Sequence, residues 1–114
     1  MKILIITNDP PYGTERSYNA LRLGLTLVKE EGVVLRVFLM ADAVACGIKG
    51  QKTPDGYYNL ASLIKGLNKA EIKACGSCLE ARGLTTDHLL PGIEPSNMKE
   101  LAEWVTDSDR VITF

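Results

Sequence analysis

Two cysteines three positions apart are the residues of this sequence best suited to chemistry. Cys75 and Cys78 enclose the short run CGSC, at the predicted junction of a strand and a helix. Unpaired backbone N–H groups at a helix start favour a thiolate over a thiol. Because the thiolate is the nucleophile that attacks sulfur, carbon or a disulfide, this placement makes Cys75 a candidate nucleophile and puts Cys78 where it can resolve an intermediate formed on Cys75. The open alternative is that both are small, inert, buried residues.

Two further interpretations of the cysteines are disfavoured by their positions. A thioredoxin-like dithiol follows an early strand and faces a proline loop, whereas this pair comes late in the chain. Cys46, Cys75, Cys78 and His88 together make a formal Cys₃His zinc set, but Cys46 stands alone and only one pair has ligand spacing. The sequence therefore predicts no metal site and no cofactor.

A second group of polar residues surrounds the loop at residues 8–13. This loop has neither the G-x-x-x-x-G-K-[ST] nor the G-x-G-x-x-G pattern, so it is not a phosphate-binding loop of known type. The prediction is a substrate-binding crevice that holds a small ligand and is lined by Tyr12, Glu15, Arg16, Cys46 and Gln51. Residues 50–58 are interpreted either as a lid over this crevice or as a plain turn.

Short apolar runs alternate with longer amphipathic stretches along the chain. Predicted strands cover residues 2–7, 33–40, 71–74, 88–90 and 110–114. Predicted helices cover residues 14–32, 57–69 and 75–83, and a last helix runs from a cap at Ser96 or Asn97 through Trp104. This alternation predicts an α/β fold, a three-layer α/β/α sandwich whose mainly parallel sheet has about five strands.

The parallel sheet decides where a site should lie. Right-handed crossovers place every loop from a strand to a helix at one end of the sheet, where ligands bind in open α/β folds. That end is expected to collect residues 8–14, residues 42–56 and Cys75. Thr14 is the predicted cap of the first helix, and the last helix is expected to present Met98, Leu101 and Val105 on one face.

Composition excludes several classes of protein. The 114 residues are the length of one domain, covering residues 1–114, and 46% hydrophobic with 24% charged residues is ordinary for a globular chain. Thirteen basic and 14 acidic residues give a net charge of -1, which disfavours nucleic-acid binding. No apolar window approaches a membrane span and no charged leader precedes the first strand, so a cytoplasmic protein is expected.

The sequence also resembles the DsrE family of small sulfur-relay-type proteins, which is related to DsrF and DsrH. The resemblance covers nearly the whole chain and is carried by NDPPYGTER at 8–16, YNALRL at 18–23, GQKTPDGYYN at 50–59, CGSCLEARGL at 75–84 and Trp104. It implies a five-stranded parallel sheet between helices and association into trimers or hexamers. It also implies a cysteine that carries a persulfide ahead of an Arg-Gly pair, here Cys75 ahead of Arg82 and Gly83.

These observations lead to two hypotheses about function. The first is a cytoplasmic, homo-oligomeric sulfur carrier or sulfurtransferase-type protein that acts through Cys75 and exchanges sulfur with a donor or acceptor protein. The second is a non-catalytic, oligomeric module that binds a small ligand in the crevice and has structural cysteines.

Overall fold

The two most apolar runs of the chain form the centre of a parallel sheet. The computed structural model describes residues 1–114, and its strands are β1 (Lys2–Thr7), β2 (Val34–Leu39), β3 (Glu71–Cys75), β4 (Ile93–Ser96) and β5 (Arg110–Thr113). Their order in the sheet is β4-β3-β2-β1-β5, and every pair is parallel. Strands buried on both faces suit the continuous apolar sequence of β1 and β2. The predicted parallel α/β sheet of five strands is confirmed.

Four α-helices cover the two faces of the sheet. They are α1 (Arg16–Leu27), α2 (Leu60–Gly66), α3 (Gly76–Ala81) and α4 (Met98–Asp107). From β1 to β4 the chain always steps in the same direction, so right-handed crossovers place α1 and α2 on one face. The return from β4 to β5 crosses the sheet the other way and places α4 on the opposite face, which gives the three predicted layers.

The face under α1 and α2 is a dense aliphatic core. Leu21, Leu35, Val37 and Leu60 are almost entirely buried there. Gly24 has no side chain, and a Cβ at this position would lie 3.3 Å from side-chain carbons of Leu35 and Leu67. The missing side chain lets α1 approach the sheet and α2 closely.

The face under α4 is organised around Trp104. This indole is 7% exposed and meets the ring of Phe38 edge-on, with 6.4 Å between centroids. The ammonium group of Lys73 lies 4.8 Å and the guanidinium carbon of Arg36 5.4 Å from the indole centroid. Trp104 therefore belongs to the core and contributes cation–π contacts in addition to apolar area.

The same two cations pair with acidic residues of α4. Lys73 lies 3.0 Å from Glu100, and Arg36 lies 2.9 Å from Asp107. A hydrogen bond from Ser96, followed by that from Lys73, lowers the pKa of Glu100. Hydrogen bonds from Lys2 and the ion pair with Arg36 lower the pKa of Asp107 in the same way. Both carboxylates therefore add stability above their unfolded-state pKa, and this contribution is lost as the pH falls through the lowered folded-state values.

The fourth strand and the last strand differ from their predictions because both are edges of the sheet. Residues 88–90 form no strand: Leu89 makes an isolated antiparallel bridge to Ile48, and the true strand is β4. The sequence does not indicate β4, because Glu94 and Pro95 interrupt any apolar pattern there. An edge strand tolerates such a charge and a missing N–H group. β5 is paired with β1 and ends at Thr113, one residue before the predicted end, and as an edge strand it is mostly exposed, with Val111 at 41%.

The helix boundaries differ from the predicted ones at their caps. α1 begins at Arg16 with Glu15 at the cap position, so Thr14 lies one residue before it, although the Thr14 hydroxyl accepts a hydrogen bond from the N–H of Arg16 at 3.4 Å. α2 begins only at Leu60, because the Asn59 side chain accepts a hydrogen bond from the N–H of Ser62 and fixes the start there.

The last helix has the expected cap and a narrower buried face. The Asn97 side chain accepts from the N–H of Glu100 at 2.9 Å, which confirms the predicted cap. Leu101 is buried, but Met98 and Val105 are 67% and 40% exposed, so the predicted common face is wrong. Trp104 takes the buried position instead.

We predict that Trp104→Ala lowers the free energy of unfolding by about 3–5 kcal/mol, because it removes a buried indole and leaves a cavity under two cations. Urea denaturation of the two proteins measures this loss. The matched control is Val105→Ala on the exposed side of the same helix, which should change stability by no more than about 0.5 kcal/mol. A loss below about 1 kcal/mol for Trp104→Ala would contradict its central position in the core.

Candidate functional site

The cysteine pair lies where β3 passes directly into α3. Cys75 is the last residue of β3 and also caps α3, which starts at Gly76. A Cβ at position 76 would lie 3.0 Å from the backbone oxygen of Ser96, so the helix start is packed against the end of β4. A side chain at position 76 would force these two segments apart, which explains the glycine inside the CGSC motif.

Cys75 and Cys78 form a disulfide in this structure. Their Cα atoms are 5.2 Å apart, within the usual range for a disulfide. Cys75 is 7% exposed and Cys78 is half-buried, so an attacking group reaches Cys78 more easily. The structure thus brings together the two residues that the sequence singled out, and their proposed chemistry requires the disulfide to be reduced first.

Backbone N–H groups point at both sulfur atoms. The N–H of Cys78 donates to Cys75 Sγ at 3.2 Å, and the N–H of Ala41 donates to Cys78 Sγ at 3.3 Å. The hydroxyl of Ser77 lies 3.4 Å from Cys75 Sγ. Each contact is better for a thiolate than for a thiol, so either sulfur can carry negative charge after reduction.

Sequence reasoning missed the residues on the far side of the disulfide. The turn Ala41–Gly47 follows β2 as a 3-10 helix, and Ala41 has a φ of +52°, the one non-glycine residue with a positive φ. Next to it, Asp42 accepts a hydrogen bond from Arg82 at 2.7 Å. The sequence of the predicted connection at 42–56 does not indicate this conformation. Arg82 was identifiable from the sequence as part of the Arg-Gly pair, but its contact with Asp42 was not.

Cys46 is a third thiol of a different kind. It is fully buried, and its Sγ lies 4.0 Å from the backbone oxygen of Asp9 at the start of the loop before α1. Burial raises the pKa of the Cys46 thiol to about 12. The structure therefore places Cys46 in the core beside the β1–α1 junction, and its thiol stays protonated at neutral pH.

Two of the predicted binding residues contact each other directly. The Tyr12 hydroxyl donates to Gln51 Oε1 at 2.5 Å and accepts from the N–H of Leu60 at 3.2 Å. The Gln51 amide donates to the backbone oxygens of Cys46 and Ile48. This network ties the loop before α1 to the segment at 50–58, so that segment has the contacts of an anchored turn.

The other two predicted binding residues lie at the exposed start of α1. Arg16 is 3.5 Å from Asp9 in an ion pair, with a side chain that is 74% exposed. Glu15 is exposed as well. Their part in binding a ligand stays a prediction.

The four tyrosines of the chain stack in one cluster beside this network. The ring centroids are 4.2 Å apart for Tyr18 and Tyr58 and 4.4 Å apart for Tyr57 and Tyr58, and Tyr12 lies 5.8 Å from Tyr58. Tyr57 remains 51% exposed. The cluster fixes the turn before α2 through aromatic packing.

The largest cavity lies away from the cysteines. It has a volume of about 450 Å³ and is lined by side chains of α2 and by Ile72 and Ile93 near the starts of β3 and β4. Cys75 is at the other end of β3. Cavity size alone identifies no reacting group, so the cavity does not bear on the predicted chemistry of the cysteines.

Metal and membrane features are absent from the described chain. No three His, Cys, Asp or Glu side chains converge as a metal site. None of the four helices is both long enough and apolar enough to cross a bilayer.

The fold and the site define a small parallel α/β protein with a CxxC disulfide at the carboxyl end of its sheet. The chain belongs to the DsrE/DsrF-like family, which it matches over residues 1–114. This match confirms the resemblance drawn from the sequence.

Relatives support the assignment along the full length of the chain. It is 40% identical to the protein YchN of Escherichia coli over 99% of this chain and 98% of YchN, and the YchN crystal structure superposes with a TM-score of 0.93. It is 29% identical to the sulfurtransferase TusD of Buchnera aphidicola over 100% of both chains. A protein of unknown function from Methanobacterium thermoautotrophicum, 19% identical with a TM-score of 0.70 and coverage of 99% and 97%, shares the fold.

We predict that Cys46 of the folded, reduced protein resists alkylation at pH 8, because the side chain is buried and its raised pKa keeps the thiol protonated. Iodoacetamide labelling followed by peptide mass spectrometry should show Cys75 and Cys78 modified first. The same protein in urea is the control, in which Cys46 should react at an ordinary rate. Equal labelling of all three thiols in the folded protein would refute the prediction that Cys46 is buried and protonated.

Proposed function

We propose that this protein is a sulfur-relay-type carrier in which Cys75 accepts a sulfane sulfur as a persulfide. The observation that carries the proposal is the position of Cys75, at the end of β3 with a backbone N–H donating to its sulfur and a second cysteine beside it. Membership of the DsrE/DsrF-like family and the similarity to the sulfurtransferase TusD support the same class of activity.

Acceptance of sulfur by Cys75 is a simple displacement. The Cys75 thiolate attacks the outer sulfur of a donor persulfide, so that a new S–S bond forms on Cys75 Sγ. The S–S bond of the donor breaks, and the donor leaves as a thiolate. No net oxidation occurs, because the sulfane sulfur moves from one thiolate to another.

Delivery of sulfur from Cys75 has two outcomes. An acceptor thiolate that attacks the outer sulfur takes it away and restores the Cys75 thiolate. Alternatively, the Cys78 thiolate attacks Cys75 Sγ, releases hydrosulfide and leaves the disulfide seen in the structure. An external dithiol reductant then reopens the disulfide for the next cycle.

The same proposal includes the setting in which the protein acts. We place it in the cytoplasm, where a reducing environment keeps such a disulfide transient. We further propose that the protein forms a homo-oligomer, either a trimer or a hexamer. We also propose that it exchanges sulfur with a donor or acceptor protein. The apolar side chains of Met98, Val105 and Val111, which are exposed on α4 and β5, favour a contact between copies.

The test is sulfur loading of the reduced protein by inorganic tetrasulfide, followed by intact mass. One sulfur atom passes to the Cys75 thiolate and trisulfide leaves. We expect Cys78→Ser to retain the added sulfur, because no resolving thiolate remains. The wild-type protein should pass on to the disulfide with release of hydrosulfide. Cys75→Ser should lose loading and still show native circular dichroism.

Cys46→Ser is the matched control for the number of thiols, and it should behave as the wild-type protein does. Undiminished loading of Cys75→Ser, or mapping of the added sulfur to Cys46, would overturn the assignment to Cys75.

A further inference from the structure

The contact between Ala41 and Cys78 is held in place by an unusual backbone. Ala41 has a φ of +52°, a conformation that L residues with a side chain rarely adopt. In this conformation its N–H donates to Cys78 Sγ at 3.3 Å. A conformation that the local sequence disfavours persists only where surrounding contacts enforce it.

Backbone hydrogen bonds from Met40 to Thr7 and from Ala43 to Met40 hold this turn, and one side chain at the far end of α3 links it to Cys78. The guanidinium of Arg82 donates to Asp42 Oδ1 through Nε at 3.1 Å and through Nη2 at 2.7 Å. Its Nη1 donates to the backbone oxygen of Cys78 at 3.0 Å. Arg82 therefore connects the residue that follows Ala41 to Cys78 itself, and a planar guanidinium suits this double contact better than an ammonium group does.

We propose that Asp42 and Arg82 are positioning residues that hold the Ala41 N–H against Cys78 Sγ and so favour the thiolate of Cys78. We call this pair the Asp42–Arg82 clamp. A hydrogen bond to a charged sulfur is stronger than one to a neutral thiol, so correct placement of this single donor changes the ionisation of Cys78.

The clamp gives Cys78 a defined part in the proposed sulfur cycle. The Cys78 thiolate attacks Cys75 Sγ in the Cys75 persulfide, and the bond between the two Sγ atoms forms. The bond from Cys75 Sγ to the outer sulfur breaks, and that sulfur leaves as hydrosulfide with the electron pair. The sulfane sulfur is reduced while the two cysteines are oxidised to the disulfide. This step rests on the proposed function, whereas the ionisation of Cys78 does not.

The direction in which the pKa of Cys78 changes distinguishes the clamp from a direct electrostatic effect of Asp42. The Asp42 carboxylate is negative, so by Coulomb interaction alone its removal would favour the nearby Cys78 thiolate. If Asp42 instead acts by placing the Ala41 N–H, its removal disfavours that thiolate. Other ionisable or charged groups lie on the elements around Cys78, namely α3 with the residue that follows it, β3 and the turn Ala41–Gly47. They are Cys46, Glu71, Lys73, Cys75, Glu80 and Arg82. All of them stay constant when only Asp42 is changed.

The experiment uses the full chain with Cys46→Ser and Cys75→Ser, so that Cys78 is the single thiol. Iodoacetamide alkylation rates between pH 5 and 10 give its apparent pKa. We expect Asp42→Ala, which removes the oxygen that accepts both Arg82 bonds, to raise that pKa and to slow alkylation at pH 7 about tenfold. Arg82→Gln should act in the same direction. The matched control is Asp87→Ala, which removes an exposed carboxylate that makes no ion pair and should leave the profile unchanged.

An unchanged or lower apparent pKa of Cys78 in folded Asp42→Ala protein would overturn the proposal. A second variant tests the backbone directly: Ala41→Val adds a β-branched side chain that opposes a positive φ, and it should also raise the pKa. Circular dichroism of each variant verifies folding. No sulfur donor enters this assay, so its failure would leave the loading of Cys75 untouched, and failure of loading would leave the clamp untouched.

Discussion

The direct passage from β3 into α3 is the constraint on which the cysteine site depends. No linker residue separates the strand from the helix, so Cys75 has to end one element and cap the next. Gly76 makes this turn against the backbone oxygen of Ser96, and Ser96 is itself paired with Cys75 in the sheet. Its hydroxyl donates to Glu100 at 2.8 Å. The site therefore inherits its rigidity from the β3–β4 pairing and from the first turn of α4.

The register of the sheet explains why Ala41, which follows β2, reaches the disulfide. Leu39 is the partner of Ala74, so the next positions on the two strands, Met40 and Cys75, leave the sheet side by side. The turn Ala41–Gly47 starts at once, and the N–H of Ala41 comes within reach of Cys78. Two segments that are far apart in the sequence thus meet because parallel strands end at the same edge.

The sequence predicted best those features that depend on apolar pattern and local chemistry. The runs of β1 and β2, the Asn97 cap and the position of Cys75 are local properties, and all can be identified from residue types. β4 could not be found in this way, because an edge strand with Glu94 and Pro95 has no apolar pattern. The positive φ of Ala41 is a tertiary effect and leaves no trace in the sequence.

The three cysteines show that the reactivity of a thiol depends on its environment and not on residue type alone. Cys46 is fully buried and raised in pKa by the loss of water, whereas Cys75 and Cys78 each accept an N–H group at the sheet edge. A third reactive thiol next to the pair would compete for the disulfide and divert it into other pairings. Because Cys46 is buried and stays protonated, it is a poor competitor for the proposed exchange between Cys75 and Cys78. A carrier that passes through a disulfide needs this separation as much as it needs a nucleophile.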